Sequence, residues 1–266
     1  MSMEVKNNLR YFKDALKASI KSAMAYKVSF ICQTLFMMLN NTFFLVFWGV
    51  VFKNTGEVDG VSFQNILYLW SFSTISFGVA YFFFGGVQNI NEYIVSGQMD
   101  SYMLQPKAVL LNVMTSKCIF SAFGDVMYGI IIGLIVSGGD IGKFLMLLII
   151  GIFGSIFFIA TEVLLRAITV WVGDTKTIAN KYTESLLITF SVYPEKIFST
   201  GVKALLYTII PAAYLTYMPT MLMENFKIGS IMIVFLVGII YLITSIIVFQ
   251  KAMKNYESGN NMSMKG

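Results

Sequence analysis

The fold of this chain is decided by residues 28–52, VSFICQTLFMMLNNTFFLVFWGVVF, which contain no charged side chain. A helix needs about 20 consecutive apolar residues to cross the hydrocarbon core of a bilayer, so this stretch predicts a transmembrane helix. Residues 228–249, IGSIMIVFLVGIIYLITSIIVF, make a second such run. The composition agrees, because 57% of the chain is hydrophobic and only 12% is charged, whereas soluble domains have about 25% charged residues.

Further apolar runs lie between these two, at residues 61–91, 118–136, 144–171 and 178–193. The last of them stops at Pro194, because proline lacks the N–H group and clashes with the preceding turn of a helix. Residues 202–223 are also apolar but contain Pro211 and Pro219. If residues 178–193 and residues 202–223 both cross the membrane, the chain has seven transmembrane helices. If only one of these two runs crosses, it has six.

Basic residues decide between the two counts. Six of them precede the first span, and the tail carries Lys251, Lys254 and Lys265 against Glu257, so the positive-inside rule places both termini in the cytoplasm. An even number of crossings follows. The sequence therefore predicts an all-α integral membrane protein of about six transmembrane helices within residues 28–252, with a cytoplasmic tail at 253–266 and a re-entrant outer hairpin at 194–223.

The first 27 residues predict a helix that lies on the membrane surface. Two stripes recur at helical spacing, one basic and one apolar, which favours an interfacial helix over a merely solvated basic tail. We do not expect a cleaved signal peptide, because the first apolar run is too long for one and lacks an obvious A-x-A site. The stripes are Lys6, Arg10, Lys13, Lys17 and Lys21, and Leu9, Phe12, Leu16 and Ile20.

Catalytic chemistry is poorly supported. The chain has no histidine, which removes the commonest general base and metal ligand, and Cys32 and Cys118 have no metal-binding spacing. Residues 138–144, GGDIGKF, do not fit the phosphate-binding G-x-x-x-x-G-K-[ST] pattern. No lysine lies deep in a span to serve a serine–lysine protease. We predict no catalytic residue, no metal site and no cofactor bound by this chain.

Asp125, Glu162 and Arg166 are charged residues within the third and fourth apolar runs and should face protein or water. Glu162 and Arg166 are four residues apart and can pair on one helix face; they belong either to a substrate or ion pathway or, as we favour, to a structural pair at the cytoplasmic end of the fourth span, where water is near. Asp125 lies about two turns into its span. It could contact a polar partner, line a cavity or couple transport to protons.

The cytoplasmic loop at residues 92–117 is longer than a tight turn requires. Its portion from about residue 109 to 116 has a mildly amphipathic helical pattern. The loop is either an ordinary connector or a docking surface for a cytoplasmic partner.

Together these segments resemble the permeases of type-2 ATP-binding-cassette (ABC) exporters. Residues 97–106, GQMDSYMLQP, are similar to a G-x-x-D-x-x-L-x-x-P-like pattern of one bacterial subgroup with six spans. The order of YP at 193–194, IP at 210–211 and YMP at 217–219 resembles the segment before the last span of that subgroup, and NYESGN at 255–260 resembles its ending.

The resemblance implies a cytoplasmic ABC ATPase dimer and a second permease, identical or paralogous, as partners in the bacterial plasma membrane, among membrane lipids and without nucleic acid. ATP and magnesium would bind to the ATPase. Glu92, Gly97, Asp100, Leu104 and Pro106 would belong to the coupling segment that docks on it, and the hairpin with Pro194, Pro211 and Pro219 would act as an outer gate. The substrate would be an amphipathic drug, peptide or lipid-like molecule moved outward.

Two alternatives belong to other classes. An ion-coupled secondary transporter would work without an ATPase, and Asp125 would be its best candidate residue. A membrane-embedded enzyme or assembly factor would need a catalytic constellation, which the sequence does not offer.

Overall fold

The computed structural model describes residues 12–14, 17–18, 21, 25–57 and 60–258. Within these residues every regular element is helical, which confirms the all-α prediction. The α-helices are α1 (Lys27–Thr55), α2 (Phe63–Phe84), α3 (Ile90–Val95), α4 (Met99–Met103), α5 (Val109–Met114), α6 (Ala122–Val136), α7 (Ile141–Ala167), α8 (Thr169–Val172), α9 (Lys176–Lys181), α10 (Thr189–Val192), α11 (Thr200–Thr208), α12 (Met218–Glu224) and α13 (Ile228–Lys254).

Four helical stretches of the described chain are long and apolar enough to cross a membrane, and a bent helix pair would make a fifth. The predicted third and fifth spans are shorter than the rest: α6 has 15 residues, and the helix at 176–192 is interrupted by a π-helical turn, Tyr182–Ile188. The four stretches are Lys27–Thr55, Phe63–Val95, Ile141–Val172 and Ile228–Lys254, and the pair is Thr200–Thr208 with Ala213–Glu224.

Local sequence explains where the long helices begin. Ser62 caps α2, because its hydroxyl accepts from the Asn65 backbone while the Asn65 side chain accepts from the Ser62 backbone N–H at 2.8 Å. This reciprocal arrangement satisfies two backbone donors that have no partner inside the helix. Asp140 caps α7 with its side chain, which accepts a hydrogen bond from the Lys143 backbone N–H at 3.0 Å.

Helix α2 is the central helix of the bundle and is largely buried, whereas α1 and α13 are mostly exposed. It packs between α6 and α7; α1 lies against α6, and α13 lies against α7. The α2–α6 contact is close, since a Cβ on Gly78 or Gly129 would come within 2.6 Å of the neighbouring helix. Small residues that let backbones approach are typical of helix association in lipid. The exposed apolar faces of α1 and α13 are therefore available to lipid.

The bundle has two ends, which we name by the elements they hold. The loop end holds residues 85–117, 173–175 and 255–258. The hairpin end holds residues 56–57 and 60–62, the turn at 137–140, and the segment at 193–199. The names carry no statement about which compartment each end faces.

A bent hairpin lies between α10 and α13. Its two arms, Thr200–Thr208 and Ala213–Glu224, meet at 84°. Lys196, before the first arm, donates from Nζ to the Gly60 carbonyl at 2.8 Å, and Glu224, at the end of the second arm, accepts from Asn65. The start of the first arm and the end of the second arm therefore both lie at the hairpin end, beside the beginning of α2.

The predicted N-terminal surface helix is only partly visible. Phe12–Asp14, Lys17, Ala18 and Lys21 are helical, and the three lysines among them are exposed. Phe12 is half-buried and stacks on Phe84, at the loop end of α2, with ring centroids 5.6 Å apart. Lys6, Arg10, Leu9, Leu16 and Ile20 lie outside the described residues, as does the tail from residue 259. The lipid contact of residues 1–27 stays a prediction.

Candidate functional site

A buried polar network lies at the loop end of the bundle and is centred on Arg166 of α7. Its Nε donates to Glu162 Oε2 at 2.5 Å, and the two side chains are only 2% and 1% exposed. Tyr81 of α2 donates from its hydroxyl to the other carboxylate oxygen, Oε1, at 2.7 Å. Because a buried charge is costly unless it is paired and hydrogen-bonded, the sequence of α7 requires these partners.

The other nitrogens of Arg166 reach two further elements. Nη1 donates to Asn91 Oδ1 of α3 at 2.8 Å, and Nη2 donates to Asn180 Oδ1 of α9 at 2.7 Å. Asn91 extends the network to Asp174, because its Nδ2 donates to Asp174 Oδ1 at 2.9 Å. One guanidinium thus connects the start of the predicted coupling loop to α7 and α9.

This network confirms that Glu162 and Arg166 pair, and it corrects their predicted environment. We expected water near the pair, yet both side chains are buried by α2, α3 and α9. Sequence reasoning missed Tyr81, Asn91, Asp174 and Asn180. Their only sequence signal is that each is polar and close to the end of an apolar run.

The predicted coupling residues lie together on the loop beyond this network. Glu92 of α3 is exposed and faces Lys176 Nζ at 3.9 Å. Gly97 has φ +75°, a left-handed conformation that favours glycine, and makes the turn between α3 and α4. Asp100 of α4 accepts a hydrogen bond from Ser258 of the tail. Leu104 and Pro106 follow α4 and are exposed.

Helix α4 is anchored on one side and open on the other. Met99 is fully buried, and the Tyr102 ring lies 5.1 Å from the Tyr93 ring. On the open side, Met103 is 41% exposed and Leu104 is 86% exposed. Met103 and Leu104 therefore form an exposed apolar pair at the end of this anchored helix.

The tail packs against the same helix. Tyr256 contacts the core beside α4. Burial, followed by the nearby negative charge of Asp100, raises the pKa of the Tyr256 phenol to about 12, so this group is neutral at physiological pH. The tail therefore belongs to the structure of the predicted coupling segment, which the sequence alone did not indicate.

The three hairpin prolines are all buried. Pro194 precedes the first arm, and Pro211 lies in the bend between the arms. The bend lies beside Tyr182, whose hydroxyl donates to the carbonyl of the exposed Ile209 at 2.6 Å. Pro219 lies in the first turn of α12, where its missing N–H costs nothing.

Asp125 has a polar partner, one of the three roles that the sequence left open. Asn41 of α1 donates from Nδ2 to Asp125 Oδ1 at 2.8 Å, and both side chains are buried. The other carboxyl oxygen, Oδ2, has no hydrogen-bond partner among the residues described here. The pair fastens the otherwise exposed helix α1 to α6.

Within the described ranges, no group of three or more His, Cys, Asp or Glu side chains is arranged to hold a metal ion.

Four long apolar helices and a buried Glu162–Arg166 pair inside the bundle are typical of a multi-pass integral membrane protein. The chain belongs to the ABC-2 family transporter proteins, because the sequence model of that family matches residues 27–260. It is accordingly a membrane subunit of an ABC transporter. No curated protein and no solved structure matches the chain significantly.

Proposed function

We propose that the chain is the permease subunit of an ABC exporter, which moves an amphipathic substrate such as a drug, peptide or lipid-like molecule outward. ATP and magnesium would be bound by a separate cytoplasmic ATPase dimer. A second permease, identical or paralogous, would complete the pathway in a bacterial plasma membrane. The single observation that best supports coupling to a separate ATPase is the Arg166 network. It connects the start of the coupling loop to two helices of the bundle, α7 and α9.

The proposed topology has six crossings, made by α1, α2, α6, α7, residues 176–192 and α13. The loop end faces the cytoplasm and the hairpin end faces outward. The support is that both ends of the hairpin contact the start of α2, so the hairpin adds no crossing. Lys251 and Lys254 in the last turn of α13 agree with a cytoplasmic loop end.

Coupling would begin at α4. Met103 and Leu104 would insert into a groove of the ATPase, and Asp100 would be held in place by the tail. When the ATPases close, movement of α4 would pass through α3 to Asn91, and from there through Arg166 to α7 and α9. A rigid, fully bonded network transmits displacement better than flexible apolar contacts, because each bond restricts its neighbours.

The experiment is co-purification of the tagged full-length chain with its ATPase, followed by transport and ATP hydrolysis measured in proteoliposomes. Leu104→Glu should weaken ATPase binding by about tenfold or more, since central apolar anchors dominate interfaces. Thr177→Glu is the matched control, because it adds the same charge to an exposed residue at the loop end of α9, outside both the coupling segment and the tail.

The permease proposal fails if no ATP-binding subunit co-purifies and transport survives ATP depletion. Normal ATPase binding by the Leu104→Glu chain would refute the docking role of α4 alone. Transport that stops when the proton gradient is collapsed, with ATP still present, would instead favour the ion-coupled alternative built on Asp125.

A further inference from the structure

An apolar groove lies at the loop end, between α5 and the last half of α13, and the proposed function does not use it. Its volume is about 690 Å³, within the roughly 300–1,000 Å³ of small-molecule sites. The walls are formed by Ala108, Val109, Leu110, Leu111, Met114, Leu242, Ile246, Phe249, Gln250 and Met253, with Lys107 and Lys254.

The polar groups of the groove are confined to one end. Lys107 precedes α5, and Gln250 and Lys254 lie in the last two turns of α13, whereas the lining from Leu242 to Phe249 is apolar. Among the described residues, no acidic side chain lines the groove. Lys107 and Lys254 give the described lining a formal charge of +2, which favours an anionic ligand group.

The wall of the groove that α13 forms is about as long as one leaflet of a membrane is thick. Residues 242–254 of α13 cover about 18 Å at 1.5 Å per residue, and half of the hydrocarbon core is about 15 Å thick. Lys254 is the last residue of the helix, where a long cationic side chain reaches the headgroup layer. An occupant would thus have an apolar part about one leaflet long and an anionic group at the surface.

We propose that this groove binds an anionic phospholipid of the leaflet at the loop end, with one acyl chain between α5 and α13. The phosphate lies at the mouth, in reach of Lys107 and Lys254. Basic pockets beside membrane helices recognise anionic headgroups in this way. A zwitterionic phospholipid offers the same acyl chains without the net charge, so the site discriminates by headgroup.

The lipid would also brace the coupling segment. Asn112, on α5, donates from Nδ2 to Gln105 Oε1 at 2.7 Å, and Gln105 follows the exposed Leu104. Filling the groove fixes α5 against α13, and through this bond it steadies the residues next to the docking surface.

The test is native mass spectrometry of the purified full-length chain in detergent, titrated with phosphatidylglycerol or with phosphatidylcholine of the same acyl chains. The wild-type chain should bind phosphatidylglycerol at least tenfold more tightly. Lys107→Gln with Lys254→Gln should abolish that preference, since each lysine near the membrane surface contributes about 1 kcal/mol, or about fivefold in affinity. Lys117→Gln with Lys251→Gln is the control, since both lysines are exposed at the same end but do not line the groove.

A second variant distinguishes loss of the site from misfolding of the chain with Lys107→Gln and Lys254→Gln. Ile246→Trp fills the apolar part and keeps both lysines, so it should weaken both lipids equally. Equal affinity of the wild-type chain for the two lipids would overturn the proposal, as would a preference that survives loss of Lys107 and Lys254 or vanishes in the control. The measurement uses neither ATPase nor transport, so its failure is distinguishable from failure of the permease proposal.

Discussion

Arg166→Met is the perturbation whose cost can be worked out most directly from the structure. It removes three hydrogen bonds, to Glu162, Asn91 and Asn180, and leaves a carboxylate that is 1% exposed without its counter-charge. Breaking a buried ion pair by removing one partner costs about 3–5 kcal/mol. We expect a loss of that size in the free energy of unfolding.

The assay is equilibrium unfolding in mixed micelles as the fraction of dodecyl sulfate is raised, followed by tryptophan fluorescence. Lys176→Met is the matched control, because it breaks the Glu92–Lys176 pair, whose side chains are 58% and 57% exposed. Exposed pairs contribute about 0–1 kcal/mol, so this variant should unfold almost like the wild-type chain.

A double variant tests the physical reason. Glu162→Gln with Arg166→Met replaces the stranded carboxylate by a neutral amide that can still accept from Tyr81. It should recover about 1–3 kcal/mol relative to Arg166→Met alone, because an unpaired neutral group costs less than an unpaired charge. The reasoning is refuted if Arg166→Met costs less than the exposed control, or if the double variant is less stable than the single one.

Three further changes probe other contacts. Asn41→Leu takes away the partner of buried Asp125 and should cost about 1–3 kcal/mol in the same unfolding assay; an unchanged midpoint would mean that the pair does not fasten α1. Gly86→Ala would place a methyl group inside the backbone of α5 and should cost about 1–3 kcal/mol; wild-type stability would show that α5 can move away freely. Glu224→Leu removes the tether between the hairpin and α2, so hydrogen exchange at residues 220–227 should quicken while that of the middle of α2 does not; unchanged exchange would contradict the tether.

Helices α1, α2 and α13 were predictable because their apolar runs, residues 28–52, 61–91 and 228–249, contain no charged residue. Helices α1 and α13 can be predicted without knowing their tertiary contacts, because an apolar helix face is stable against lipid whichever helices lie beside it. Pro211 likewise predicted a break, because a ring without an N–H group interrupts the interior of a helix. The π-helical turn at Tyr182–Ile188 had no such signal.

The partners of the buried charges were not predictable. Arg166 and Glu162 share a helix face by simple spacing, but Asn91 lies 75 residues from Arg166 and Asn41 lies 84 residues from Asp125. Such pairs depend on which helices become neighbours, which spacing within one run does not reveal. Asn41 nevertheless carries a general hint, since a polar side chain inside an uncharged run must find a partner or water.

The shortness of α6 has a consequence for the membrane itself. Its 15 residues rise only about 22 Å, which is less than the ~30 Å of a typical hydrocarbon core. Its exposed stripe, Met127, Ile131, Leu134 and Ile135, faces outward from the bundle. If α6 crosses as proposed, the bilayer beside this stripe must thin by several ångströms to avoid hydrophobic mismatch. The local thickness of the surrounding lipid then becomes a property that the protein imposes, and membranes of shorter acyl chains would accommodate it with less deformation.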